Sequence, residues 1–348
     1  MDDVVRKSYR YLRVSVVAVA LLLAIALVLE IGWGGRERFG SISGYYYSPV
    51  RSIFVGALVA IGPALVAIKG RAGWEDTMLD LAGMLAPVVA LVPTPLEADR
   101  QDAGCPGGAA ACVPPEFVPG VVNNIGALAV LGVVALAFAW FSAGPVLRRQ
   151  AATRWGIAAA TAVWAVFVTV FLLAQDAFLT MAHYSAAVPF FLLIAGVAYL
   201  NGRRAPARRD VAVLTPDAYG RAYRLVSGLM IATLVLTGVY YAVTALAGVE
   251  RWFATIAVVE TALLVLFVVF WVLQTIENWN SEAVAEQAAS GEPVATTCAR
   301  GAVPHERAVP AAAPARGPGV HPGHRAGRRG LSASMRRPGA PVLDGCDG

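Results

Sequence analysis

Eight apolar runs, at roughly 14–33, 52–68, 77–93, 121–143, 155–175, 181–200, 223–247 and 253–275, occupy most of the chain up to residue 275. Each is close to the ~20 residues that a helix rising about 1.5 Å per residue needs to cross a hydrocarbon layer about 30 Å thick. With 57% hydrophobic and 15% charged residues and a mean hydropathy of +0.62, the chain carries more apolar surface than a soluble core of its size can hide. Lipid must be the solvent for much of it. The expected architecture is an all-α integral membrane bundle of eight transmembrane helices.

The first run follows Arg6, Lys7, Arg10 and Arg13, as a signal peptide would, but it is long and has no clear small-residue cleavage site. It reads as an uncleaved first span. Short cytoplasmic loops collect Lys and Arg. With the N-terminus inside, the cytoplasmic segments hold Lys69 and Arg71, then Arg148, Arg149 and Arg154, then Arg203, Arg204, Arg208, Arg209, Arg221 and Arg224. The rule holds at every inside crossing, with Arg36, Arg38 and Arg51 a mild exception on the outer side. Both termini are therefore expected in the cytoplasm of a bacterial inner membrane protein. The net charge of +5 belongs to this topology and not to a nucleic-acid footprint.

The long outer loop between the third and fourth runs contains Cys105-Pro-Gly-Gly-Ala-Ala-Ala-Cys112. It faces an oxidising compartment in this orientation, where a disulfide between Cys105 and Cys112 is chemically reasonable. The alternative is two unpaired thiols. Polytopic membrane sequence occupies residues 1–280. Residues 281–348 change to Ala, Pro, Gly and Arg without apolar periodicity and are expected to form a disordered tail. From about Val294 the mixture also has the look of GC-rich DNA translated out of frame.

Small residues four apart mark candidate packing lines at Gly56, Ala60 and Ala64 and at Ala135, Ala139 and Ala143. Pro63, Pro87 and Pro189 lie inside spans, where each removes a backbone donor and can kink its helix.

Ionisable groups inside a membrane are costly and are functional candidates by default. In the expected orientation Glu30, Asn123, Asn124, Gln175, Asp176 and His183 fall near outer helix ends, and Glu260 about two turns below the outer surface. Asp80 stands apart near the cytoplasmic end of the third span, as an Arg partner or an interfacial carboxylate. The first outer loop, Ser41-Ile42-Ser43-Gly44-Tyr45-Tyr46-Tyr47-Ser48-Pro49-Val50-Arg51, gathers hydroxyls, phenols and a guanidinium at the membrane boundary. Arg51 can hold a carboxylate or phosphate through its fork of donors. An ordinary aromatic belt is the competing reading.

The Ser-Ile-Ser-x-Tyr-Tyr-Tyr segment, Arg51-x-x-Phe54-Val55-Gly56, Asp80-Leu81-Ala82-Gly83 and Val89-Ala90-Leu91-Val92-Pro93-Thr94 resemble the motifs of an uncharacterised family of bacterial multipass membrane proteins. His183-Tyr184-Ser185-Ala186 is similar to the same group's His-aromatic-Ser-Ala step. The family more often has Asn where Asp80 stands. The resemblance implies a multipass fold and names no reaction.

Three functions follow. The first is binding or transport of a small ligand or lipid headgroup through an outward-facing polar pocket built from Ser43, Tyr45, Tyr46, Tyr47, Arg51, Asn124, Asp176, His183 and Glu260. In it, Asp176 and His183 exchange protons or simply cap their own helices. The second is a non-catalytic structural or assembly role. The third is an intramembrane metal-dependent lipid hydrolase, for which His183, Asp176 and Glu260 are an unusual ligand set. A Ser-His-Asp group from Ser41 or Ser43, His183 and Asp176 has no nucleophile elbow to support it. Nucleotide, haem and Cys-x-x-Cys motifs do not occur, so the sequence gives no cofactor. Its expected partners are membrane lipids and a small or lipid ligand.

Overall fold

A computed structural model describes residues 3–34, 39–68, 73–98, 101, 104–142, 151–204 and 214–290. All eight apolar runs are helices: α1 (Asp3–Leu29), α2 (Arg51–Ala67), α3 (Trp74–Leu91), α4 (Val118–Ser142), α5 (Ala151–Leu173), α6 (Gln175–Arg204), α7 (Pro216–Ala247) and α8 (Thr255–Ser290). Six of them (all but α2 and α3) are long and apolar enough to cross a membrane, so the chain is a multipass membrane protein. Helix α2 has 17 residues, and α3 has 18 but carries Glu75, Asp76 and Asp80.

The helix ends show why these residues stop and start where they do. Thr215 caps α7, accepting from the Ala218 amide, with Pro216 at the first helical position, where its missing N–H costs nothing. The helix closes on Gly248 at φ 63°, the left-handed conformation glycine adopts without strain. At the far end α8 runs to Ser290, past the boundary at 280 read from composition. Its last turns, Ser-Glu-Ala-Val-Ala-Glu-Gln-Ala-Ala-Ser, are rich in strong helix formers and need no apolar face to continue the helix. The tail beyond 290, including the suspected out-of-frame stretch, lies outside the described residues.

Helices α1, α2, α3, α6, α7 and α8 form a ring, with α8 closing on α1. Helices α4 and α5 pair outside it against α3 and α6. Neighbours alternate in direction, so the Arg204 end of α6 meets the Glu75 end of α3, and Arg10 of α1 reaches the Trp279 carbonyl of α8. One end of the bundle is thus basic. The other carries the antiparallel strands β1 (Leu96–Glu97) and β2 (Ala111–Cys112) and the Cys105–Cys112 disulfide.

Inside the ring the basic half is solidly filled by Leu65, Ala82, Ile194, Met230, Phe270 and Trp271. Helices α2 and α3 meet most closely at two glycines. A Cβ on Gly83 would lie 2.6 Å from the Gly62 carbonyl oxygen, and one on Gly62 2.8 Å from that of Gly83. The expected Gly56–Ala60–Ala64 line is not the seam, because Gly56 and Ala60 are exposed and only Ala64 is buried. A four-residue spacing does not reveal which face of a helix meets a neighbour. Ala135 is likewise exposed, and α4 meets α5 through Trp164, whose indole lies against Gly132 and donates to the Ala129 carbonyl at 3.1 Å. Ala143 lies outside the described residues.

The disulfide closes a hairpin that Gln101 also ties, donating to the carbonyls of Leu96 and Cys112. Reduction is expected to cost that loop about 2–3 kcal/mol on the chain-entropy account. Hydrogen exchange across residues 96–117 should therefore rise on reduction while the melting temperature of the bundle holds.

Candidate functional site

The disulfide half of the ring is hollow. A cavity of about 590 Å³ lies among α1, α2, α3, α6, α7 and α8, walled mainly by apolar side chains such as Leu58, Val89, Phe191 and Leu263. Its roof is the short 3-10 helix Ser43–Tyr47, of which Ser43 and the preceding Ile42 line the cavity.

Glu260 of α8 holds that roof down. Its Oε2 accepts the amides of Ile42 and Ser43 (3.2 Å for Ser43), and its Oε1 accepts the Ser43 hydroxyl at 2.7 Å. The first amides of a helix have no partner within it, and here a carboxylate from a distant helix supplies one. On the other flank Tyr47 donates to the Thr94 carbonyl at 2.9 Å, and the Thr94 hydroxyl bonds the Tyr184 phenol at 2.6 Å, linking the roof to α3 and α6. Removing the Glu260 carboxylate leaves three donors to find new partners. A Glu260→Ala protein should lose about 2 kcal/mol. Hydrogen exchange at residues 42–47 should show the loss, and Glu260→Gln, which keeps an acceptor, should lose less.

His183 lines the cavity and is almost fully buried. Its Nδ1 lies 2.7 Å from the Val92 carbonyl; a carbonyl only accepts, so Nδ1 bears the proton in this bond.

Of the residues expected to form one polar pocket, Ser43, His183 and Glu260 do line a common cavity. Tyr45 is packed into the apolar layer between α1 and α2, edge-on to Phe39 at 5.2 Å. Tyr46, Tyr47 and Arg51 form a separate cluster around Phe117. The Arg51 guanidinium lies 4.8 Å from the Tyr46 ring centre and 5.3 Å from that of Phe117. Burial raises both phenols above their ordinary value near 10, most for Tyr47, where neighbouring Tyr46 and Glu116 push the same way, while Arg51 opposes the rise in both. Both stay protonated at neutral pH.

Asn124 and Asp176 are not among the residues lining the cavity. Asp176 is exposed in the first turn of α6. Among the described residues no group of three or more His, Cys, Asp or Glu side chains is placed to hold a metal ion, so His183, Asp176 and Glu260 do not form the ligand set that a metal-dependent hydrolase needs.

Sequence reasoning missed Tyr184, Thr237 and Tyr241, which add hydroxyls to the cavity wall. Their signal was Tyr184 beside His183, and Thr237 and Tyr241 one turn apart on a span with few polar residues. A second polar group at the basic end was also missed. There Glu75 accepts from Arg204 at 2.6 Å and Asn201 at 3.0 Å, and buried Glu277 accepts from Tyr223 at 2.7 Å.

The cavity has a side opening. Helices α6 and α7 pack tightly toward the basic end, where Ser227 donates to the Ala195 carbonyl and Arg224 to that of Gly202. Between Met230 and Thr244, however, no α7 residue is buried. The lining residues Tyr184, Val188 and Gly238 on these two helices are exposed. Tyr184 lies nine residues into α6 and Gly238 nine residues before the end of α7, so the opening is about 14 Å from those helix ends. On helices long and apolar enough to cross a membrane, that position lies well inside the apolar stretch.

No protein-family model, curated protein or solved structure matches the chain.

Proposed function

We propose that this protein is an eight-span protein of a bacterial inner membrane, with both termini in the cytoplasm and the disulfide outside, that binds a membrane lipid by its apolar chain. The observation that carries the reading is the apolar cavity opening between α6 and α7 at hydrocarbon depth. A water-soluble ligand has no aqueous route to such an opening, whereas an acyl or isoprenoid chain is already there. Pockets of 300–1,000 Å³ with few polar groups are the usual shape of small-ligand sites. The outward-facing polar pocket becomes, in this reading, the roof over a greasy one.

The orientation rests on the basic loops and on the disulfide, which needs an oxidising compartment. Helices α2 and α3 count as spans because they complete the ring between α1 and α6.

Gly238 provides the test. A Cβ there would meet nothing within 4 Å, so a larger side chain enters the cavity without displacing a neighbour. A Gly238→Leu protein should lose the lipid that co-purifies with the wild type, as read by native mass spectrometry. Its melting temperature should hold or rise, since leucine is the better helix former by up to about 1 kcal/mol. Undiminished lipid on a stable Gly238→Leu protein would sink the proposal.

A structural role has one observation of its own. Helix α4 is buried only at Val121, Ile125 and Ala129 and leaves Phe138 and Phe141 exposed, a face suited to a neighbouring span as well as to lipid.

A further inference from the structure

The cavity's polar groups are unevenly matched. Glu260 acts as acceptor through both carboxylate oxygens. The hydroxyl of Ser43 already donates to Glu260, and that of Thr237 donates to the Thr233 carbonyl at 2.7 Å, so each turns only lone pairs to the cavity. His183 spends its Nδ1 proton on the Val92 carbonyl, and Tyr184 shares a hydrogen bond with the Thr94 hydroxyl in which either is the donor. Tyr241, whose phenol has no hydrogen-bond partner among the described residues, adds a donor, so the wall offers at most two. Among the described residues no Lys or Arg lines the cavity.

A site made this way selects a head by charge and by donor count. A phosphate monoester brings one or two negative charges and mostly acceptors, and it would have to shed water beside a carboxylate, in a low-dielectric wall, with only the phenols of Tyr184 and Tyr241 to receive it. Both the lost hydration and the like-charge repulsion count against it. A hydroxyl brings the donor that the wall lacks, and an ester carbonyl next to it can accept from Tyr241. Unpaired polar groups on either partner are what make such a site discriminate.

We infer that the lipid held in this cavity has an uncharged, hydroxyl-bearing head, of the diacylglycerol type, and that phosphate-headed lipids of the same chains are excluded. This inference rests on the lipid-binding reading above. Among the described residues, Arg51 and Arg251 sit outside the lining. Arg51 is engaged with Tyr46 and Phe117, and Arg251 lies 4.8 Å from the Tyr241 ring centre at the rim.

The experiment is native mass spectrometry of the full chain in a neutral detergent, with dioleoylglycerol or dioleoyl phosphatidate added at equal concentration. The wild type should retain the diacylglycerol at least tenfold better. Thr237→Val should weaken diacylglycerol retention several-fold. Glu260→Gln, which removes the negative charge and keeps an acceptor, should narrow the preference to within about threefold. Thr237→Val serves if Glu260→Gln fails to fold.

Equal or better retention of phosphatidate would overturn the inference. If Arg251→Ala then removes it, the phosphate sits at the rim. If both lipids are retained equally and both are lost in Gly238→Leu, the cavity reading stands and the head assignment falls. If Gly238→Leu changes neither, or the wild type retains neither, the cavity reading itself falls, and the inference with it.

Discussion

Replacing Arg204 with alanine is expected to lower the stability of the bundle by about 2–4 kcal/mol, read as a fall in melting temperature in detergent. Glu75 is 5% exposed, and its carboxylate is held between the Arg204 guanidinium at 2.6 Å and the Asn201 amide at 3.0 Å. Without Arg204 the buried carboxylate keeps only a neutral donor. The expected cost sits below the upper end for a buried pair because the Arg204 side chain is itself 35% exposed. The reverse substitution is milder. Glu75→Gln retains the Asn201 contact and leaves a guanidinium that can turn to water, so it should cost less than half as much. Equal losses from the two variants would show that the pair contributes by attraction alone and that burial of the acid is not the governing term.

The second large effect is steric. Gly83→Val is expected to destabilise the protein by about 3 kcal/mol or more, because the added side chain meets backbone that cannot swing aside. A single Cβ at this site already lies 2.6 Å from the Gly62 carbonyl oxygen and 2.7 Å from Val66 Cγ2. Helices α2 and α3 would have to separate, and α3 is also the neighbour of α4, α5 and α6. Gly56→Val, on the facing helix α2, has a Cβ that meets nothing within 4 Å and should leave the stability within about 0.5 kcal/mol of wild type. Matched losses in both variants would mean that helix propensity, and not the close approach, is responsible.

The eight helices were legible in the sequence because runs of apolar residues about 20 long have one structural use. Their ends were less so. Helix α6 begins at Gln175 and not near 181, and α7 at Pro216 and not near 223. Gln175, Asp176, Asp217 and Arg221 are polar, and a hydropathy reading stops where a helix need not. The Cys105–Cys112 bond was readable from topology and redox chemistry together.

The site was half legible. One-sided placement of Ser43, His183 and Glu260 along the membrane normal follows from counting residues, and these three do meet one cavity. Azimuth does not follow from counting. Asp176 has the right height and the wrong direction, and Glu260 finds Ser43 across 217 residues of chain, which no local pattern encodes. The hydroxyls of Thr237 and Tyr241 looked like incidental polar residues because only the splay of α7 from α6 turns them toward a void.

The lengths of the ring helices differ around its circumference. As spans, α2 and α3 measure about 26 and 27 Å, whereas α6 and α7, with 30 and 32 residues, measure about 45 and 48 Å. In the eight-span arrangement proposed above, the bilayer would meet a short wall on the α2 flank and a tall one on the α7 flank. Lipids beside α2 would then compress, while α7 would have length to spare for headgroups on both sides. So arranged, the molecule would impose a thickness gradient on the membrane around it, gathering shorter chains on one flank and leaving the proposed lateral opening on the other in a leaflet of full depth.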